Sequence, residues 1–205
     1  MTGENIRTRA GENYLLEAEE KKLFNFLKVR KDRQAERDFV LLKLCRLTGL
    51  RRGEALALNV GDVFRKEWIE VDGRIAEKGA TGKVYLPAEL QTVLERFIRM
   101  KKRWGEDVPD DAPLFVSKKG NRLSLRAFND LMDKWCECSG IGRYTPHALR
   151  HTKARRIMDD VRHLNEDDRE KALLFVNKQL RHKSMSATLI YAQPTKEQMQ
   201  TTGAI

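Results

Sequence analysis

Thr145-Pro146-His147-Ala148-Leu149-Arg150-His151 reads as the opening of a helix. Thr145 suits the N-cap, where a hydroxyl can accept from an orphan backbone N–H. Pro146 fits the first helical position, where its missing N–H costs nothing. Residues three and four apart share a helix face, so His147, Arg150 and His151 project together near the N-terminal end. That end carries partial positive charge and free N–H donors. A guanidinium, imidazoles and a helix N-terminus in one place suit an anion, with phosphate the first candidate.

Downstream of this stretch the helix continues to about Met158, and the densely charged segment from Asp159 to Glu170 reads as partly looped. Ala172 to Leu180 is helical again, and Ser184 or Ser186 starts a last short helix that carries Tyr191. Upstream, Ser124 caps a helix running to about Cys138, with Phe128, Leu131, Met132 and Trp135 inside. Leu90 to about Lys102 is amphipathic and helical. Residues 63–87 read as sheet: Glu67-Trp68-Ile69-Glu70-Val71 alternates, Asp72-Gly73 is a two-residue hairpin signal, Arg74-Ile75-Ala76 returns, and Lys83-Val84-Tyr85-Leu86 makes a third strand. Phe39 to Leu47 is apolar on most faces and reads as a central core helix after a charged junction from Arg30 to Arg37. Gly49 suits its left-handed C-cap. An earlier amphipathic helix runs from Leu15 to about Val29. The expected fold class is α+β and mainly helical, with a small three-stranded antiparallel sheet packed on the helices.

The chain has 205 residues, 40% hydrophobic and 34% charged, with 40 Lys and Arg against 30 Asp and Glu, a net charge of +10. That excess favours a polyanion, nucleic acid ahead of anionic membrane. No apolar run is long enough to span a bilayer, and the N-terminus lacks a signal peptide's apolar core. Three cysteines, Cys45, Cys136 and Cys138, fit a reducing, cytoplasmic setting. Cys136 and Cys138 with His147 and His151 have metal-ligand chemistry, but their spacing is too short for the usual zinc pattern and their segment reads as helix. No metal or other cofactor is expected.

The polar groups that sit at element ends are Arg51, Glu54, Lys78, His147, Arg150, His182 and Tyr191. Together they make a coherent chemistry. Two guanidiniums can clamp a phosphodiester and stabilise charge as phosphorus becomes pentacoordinate. A tyrosine hydroxyl can attack the phosphorus, and a lysine can protonate the leaving alkoxide. Imidazoles can donate to the phosphate or shuttle the nucleophile's proton. By chemistry alone Arg52 competes with Arg51, and Lys83 with Lys78.

These residues and their order resemble the catalytic domain of the tyrosine recombinase (phage integrase) family, over about residues 15–192. Thr48-Gly49-Leu50-Arg51-Arg52-Gly53-Glu54 looks like the family's first-arginine box, Glu77-Lys78-Gly79 like its hairpin lysine, and His147-Ala148-Leu149-Arg150-His151 like its His-x-x-Arg box. Leu180-Arg181-His182-Lys183-Ser184 looks like its second-histidine box, with Tyr191 in the nucleophile's place. Arg181 stands where the family usually has glycine, and the separation of Arg150 from His182 is long.

The resemblance implies site-specific cleavage and rejoining of double-stranded DNA through a 3′-phosphotyrosine, without metal. Arg51, Arg150 and His182, with His147 beside them, would stabilise the transition state. Lys78 would be the general acid and Tyr191 the nucleophile, with Glu54 and His151 in support. It also implies self-association on DNA, as a tetrameric synapse. Residues 1–14 would be a polar leader or linker remnant and residues 15–205 the catalytic domain. The N-terminal core-binding domain of the family would be absent from this chain, leaving room for a separate DNA-binding or accessory protein. The rival expectations are relaxation of DNA in the manner of a type IB topoisomerase, and a DNA-binding regulator with a degenerate site.

Overall fold

The computed structural model describes residues 14–76, 79–182, 184–189 and 191. Its elements run α1 (Glu17–Lys28), α2 (Arg33–Thr48), α3 (Arg52–Ala57), a 3-10 turn (Val60–Asp62), β1 (Trp68–Val71), β2 (Gly82–Tyr85), α4 (Ala88–Arg103), α5 (Leu125–Ser139), α6 (Pro146–Asp160), α7 (Glu166–Leu180) and α8 (Ser186–Leu189).

The central element is α2. Leu41, Leu42 and Leu44 are fully buried in it, and α1, α4 and α6 pack around it. It starts at Arg33, six residues before the expected core helix, because the Asp32 side chain accepts from the N–H groups of Gln34 and Ala35. The charged run before Phe39 is therefore the first turns of the helix. Two of its polar residues, Glu36 and Asp38, are buried with partners: Asp38 accepts from Trp135 Nε1 at 2.9 Å and Glu36 from Arg96 at 3.0 Å. Gly49 ends the helix at φ 72°, and its N–H donates to Cys45 O at 2.9 Å. A Cβ there would lie 2.4 Å from Leu180 Cδ2, so this position excludes a side chain twice over.

The sheet has two strands among the described residues, not three. β1 and β2 pair antiparallel with Ile69 opposite Val84 and Glu70 opposite Lys83. Ile69, Val71 and Val84 face the core, while Trp68 and Tyr85 lie on the outer face with ring centroids 5.1 Å apart. The expected middle strand is a tight turn: the N–H groups of Ile75 and Ala76 both donate to Asp72 O, at 2.7 and 3.0 Å. Arg74 is drawn off to Asp62 at 2.7 Å, and Ile75 alone enters the core. The alternation in Arg74-Ile75-Ala76 records one apolar plug rather than a pleat.

At α6, Pro146 takes the first position as expected, but Thr145 makes no side-chain cap; its carbonyl accepts from Ala148 N at 2.9 Å instead. The charged stretch from Asp159 to Glu170 is mostly helical. It divides into the end of α6, a short connection, and the first turn of α7, which is capped by Asn165 accepting from Asp168 N at 2.9 Å. Glu166, Asp167 and Asp168 sit where the helix dipole favours acids. Between α6 and α7 lies a second apolar cluster of Ala154, Met158, Ala172, Val176, Leu180 and Tyr191. No helix of the described residues is long and apolar enough to cross a membrane.

Candidate active site

Five element ends converge where α2 stops, α3 and α6 begin, α7 stops and α8 closes. Arg51 is the N-cap residue of α3, with extended backbone that turns its side chain back toward Glu54. Its backbone N–H donates to Glu54 Oε2 at 2.7 Å and its Nη1 to Glu54 Oε1 at 2.8 Å. Arg52, one residue on, is exposed and donates to Asn129 Oδ1 at 3.0 Å on α5. The two arginines that chemistry could not separate thus face opposite ways.

Glu54 has no solvent exposure. Its second guanidinium is Arg181, which bonds Glu54 Oε2 and also donates to Ala80 O and Gln179 O, both at 3.3 Å. Burial pushes the Glu54 carboxyl up, but the Arg181 charge and the hydrogen bonds from Arg51 and Arg181 outweigh it and leave it below the usual carboxylate range. Arg181 holds a left-handed conformation, φ 52° and ψ 49°, as the C-cap of α7. This is the geometry a glycine would supply, taken here by an arginine whose side chain fills the space against Gly82. A Cβ on Gly82 would meet Arg181 Cδ at 3.0 Å.

Arg150 is 3% exposed. Its Nη1 donates to Gly49 O at 2.5 Å and its Nη2 to Leu180 O, so the guanidinium joins the C-terminal ends of α2 and α7. Burial, with Arg51 and Arg181 nearby, lowers it to about 10, which leaves it charged at neutral pH.

The imidazoles follow. His147 is exposed, and its ring meets His151 edge-on at 4.5 Å. His182 Nδ1 shares a hydrogen bond with Thr188 Oγ1 at 2.8 Å. Tyr191 is 8% exposed, with its ring in the α6–α7 apolar cluster. Its hydroxyl lies 2.5 Å from His151 Nδ1, and the His182 ring lies parallel to it at 6.3 Å. Burial, then the neighbouring Arg150 charge, lowers His182 to about 4. Burial, then His147, Arg150 and His182, lowers His151 to about 4. Burial raises Tyr191, and Arg150 offsets part of that rise.

The structure therefore brings together Arg51, Glu54, His147, Arg150, His151, His182 and Tyr191. Lys78 lies outside the described residues. Its rival Lys83 is exposed on β2 and pairs with Glu70 across the strands at 3.1 Å. Cys45 and Cys136 are buried and Cys138 is exposed, each as a free thiol. Sequence reasoning missed two parts of the site. One is Thr188, three residues before Tyr191, which orients His182. The other is Arg181, visible as a departure from pattern, but with nothing local to show where its side chain would go.

Guanidiniums gathered around a buried carboxylate, with a phenol and imidazoles beside them, make a cationic site of a kind that suits an anion. The chain belongs to the phage integrase family, whose sequence profile matches residues 13–198. It is 33% identical over 180 residues to a tyrosine recombinase XerC of Roseiflexus sp. (strain RS-1), covering 81% of this chain and 53% of that protein. It is 30% identical over 168 residues to the tyrosine recombinase XerC of Haemophilus ducreyi, covering 80% of this chain and 50% of that one. The fold is shared with the XerH site-specific recombinase bound to its difH substrate before cleavage, at a TM-score of 0.70 and 22% identity over 94% of this chain and 52% of that one. The chain spans about half the length of these XerC relatives.

Proposed function

We propose that this chain breaks and rejoins double-stranded DNA at a specific site, with Tyr191 as the nucleophile that becomes joined to the 3′ phosphate of the cut strand. The observation that carries the reading is the tyrosine hydroxyl beside an imidazole, 2.5 Å away, in the same site as two guanidiniums, Arg51 and Arg150. Arg51 and Arg150 stabilise the charge of the pentacoordinate phosphorus, with His182 and His147 donating beside them. Glu54 holds Arg51 in place. Lys78 supplies the proton for the leaving 5′ oxygen. The cations do the electrostatic work that a metal does elsewhere, so the reaction runs in chelator. The XerC and XerH names support recombination over simple relaxation. Assembly on DNA with further copies, an accessory DNA-binding protein and a cytoplasmic setting belong to the same proposal.

The test is covalent trapping on nicked DNA half-sites, read on a denaturing gel with EDTA present. Wild-type protein should form an adduct, and Tyr191→Phe should form none while binding the same DNA. Adduct from the Phe variant would move the nucleophile elsewhere. Relaxation of supercoiled plasmid without any specific site would replace recombination by topoisomerase action.

A further inference from the structure

We propose that His151 is a catalytic residue for this chemistry, the base that takes the phenolic proton of Tyr191 as its oxygen attacks phosphorus. This rests on the reading that Tyr191 is the nucleophile, and adds the destination of its proton.

Three imidazoles lie near Tyr191, and geometry separates them. His151 Nδ1 is 2.5 Å from the tyrosine oxygen, within direct hydrogen-bond reach. His182 is stacked on the tyrosine ring, and its Nδ1 is engaged with Thr188 Oγ1 at 2.8 Å. His147 is one helical turn before His151 and meets that ring edge-on. The backbone fixes the pair. His151 sits in the second turn of α6, while Tyr191 is held through its N–H to Thr188 O at 3.0 Å and its carbonyl from Arg155 Nη1 at 3.5 Å.

The charge state fits the role. A neutral phenol must donate, so His151 Nδ1 must offer its lone pair, with the ring proton on Nε2. An imidazolium would carry N–H on both nitrogens and accept nothing. The groups that face His151 are His147 and Arg150 from α6, His182 from beyond α7, and Tyr191 beyond α8. Burial, with the Arg150 charge beside it, keeps the ring neutral at physiological pH. The same surroundings would resist a proton arriving on Nδ1 until an anion entered. A bound phosphodiester brings that anion, so the base becomes effective when DNA is in place.

In the forward step the Oη–H bond breaks and its proton goes to His151 Nδ1, while Oη bonds to phosphorus. The P–O5′ bond breaks with its electron pair on the 5′ oxygen, which takes a proton from Lys78. In rejoining, the 5′ hydroxyl attacks phosphorus, its proton returns to Lys78, and His151 Nδ1–H returns its proton to the departing phenolate.

The experiment measures adduct formation on nicked half-sites against pH for wild type, His151→Gln and His147→Gln. Glutamine keeps polarity but cannot take the proton. His151→Gln should lose about a hundredfold or more in cleavage rate with unchanged DNA affinity, and should lose the rising limb of the pH profile. His147→Gln should keep that limb. Imidazole added to His151→Gly should restore part of the rate. Cleavage by His151→Gln at the wild-type rate with an unchanged profile overturns the inference and leaves Tyr191 as nucleophile. Absence of adduct from wild type overturns the parent reading, and proton transfer with it. A readout independent of activity is the 15N spectrum of the His151 ring. Unprotonated Nδ1 that shifts in Tyr191→Phe supports the pair, and protonated Nδ1 overturns it even where a variant fails to fold.

Discussion

Glu54 is a fully buried carboxylate that takes hydrogen bonds from two arginines on different elements, Arg51 and Arg181. Removing one partner of a buried ion pair is strongly destabilising, about 3–5 kcal/mol where nothing else compensates. Here Arg51 keeps its two bonds to Glu54, so the loss should fall at or below that range. Two substitutions separate the side chain from its backbone. Arg181→Ala and Arg181→Gly both delete the guanidinium, but only alanine must hold φ 52° against a Cβ. Left-handed backbone costs an L-residue roughly 1–2 kcal/mol, part of which glycine loses again through its freer unfolded chain. Arg181→Gly should therefore be the less damaged variant, by up to about 1 kcal/mol in urea denaturation. An alanine variant as stable as the glycine variant would show that the turn is not strained. At this scale the sequence separated types but not directions. Arg51 and Arg52 are chemically equal, and what distinguishes them is that one is a cap residue with extended backbone and the other the first residue of the helix. The partner of Arg181 lies 127 residues away, beyond any local pattern.

The site stands on the ends of helices, so its precision depends on how those ends meet. The carbonyls of Gly49 and Leu180, one closing α2 and one closing α7, both accept from Arg150. Gly49 also leaves room for the Leu180 side chain, which a Cβ would meet at 2.4 Å. Gly49→Ala should destabilise by more than the roughly 1–2 kcal/mol of its left-handed backbone, because Leu180 must also move. Leu180→Ala, at a fully buried position, should cost about 2–5 kcal/mol. The double variant should be more stable than the sum of the two, since the smaller residue 180 removes the clash. Simple additivity in urea denaturation would show that the two ends do not press on one another. Elements like these were legible wherever a cap or a period marked them: Gly49 as a C-cap, Ser124 as an N-cap, the apolar stripe of α4. The start of α2 and the first turn of α7 were not, because both are charged runs and their caps, Asp32 and Asn165, look like loop residues until the helix behind them is seen. The middle strand, Arg74-Ile75-Ala76, failed for the opposite reason. A hairpin dipeptide and a three-residue alternation fitted a local rule, and the hydrogen bonds to Asp72 O won.

At the scale of the whole molecule, a chain of net charge +10 buries Arg150, Arg155 and Arg181 at its centre of action and keeps two imidazoles uncharged among them. That arrangement sets how the fold responds to acid. His151 and His182 titrate near 6.5 when unfolded and at about 4 when folded. Between those values the unfolded chain binds protons that the folded one refuses, and stability rises with pH wherever the unfolded state holds more protons. Their contribution is complete above the unfolded value and is lost as pH falls from about 6.5 toward about 4. Glu54 acts in the same direction at lower pH, because its lowered carboxyl contributes stability that is lost only as pH falls through its folded value. Protonation of surface acids adds to the positive excess and to self-repulsion over the same range. The unfolding free energy in urea should therefore be clearly smaller at about pH 5 than at about pH 7.5, with the slope beginning near the histidine value rather than the carboxylate one. Replacing either half-buried imidazole by glutamine should flatten that slope, since the group that titrates is gone. Equal stability at the two pH values would mean that His151 and His182 take up protons in the folded protein as readily as in the unfolded chain. The Tyr191 hydroxyl would then lose its neutral acceptor nitrogen at about pH 5.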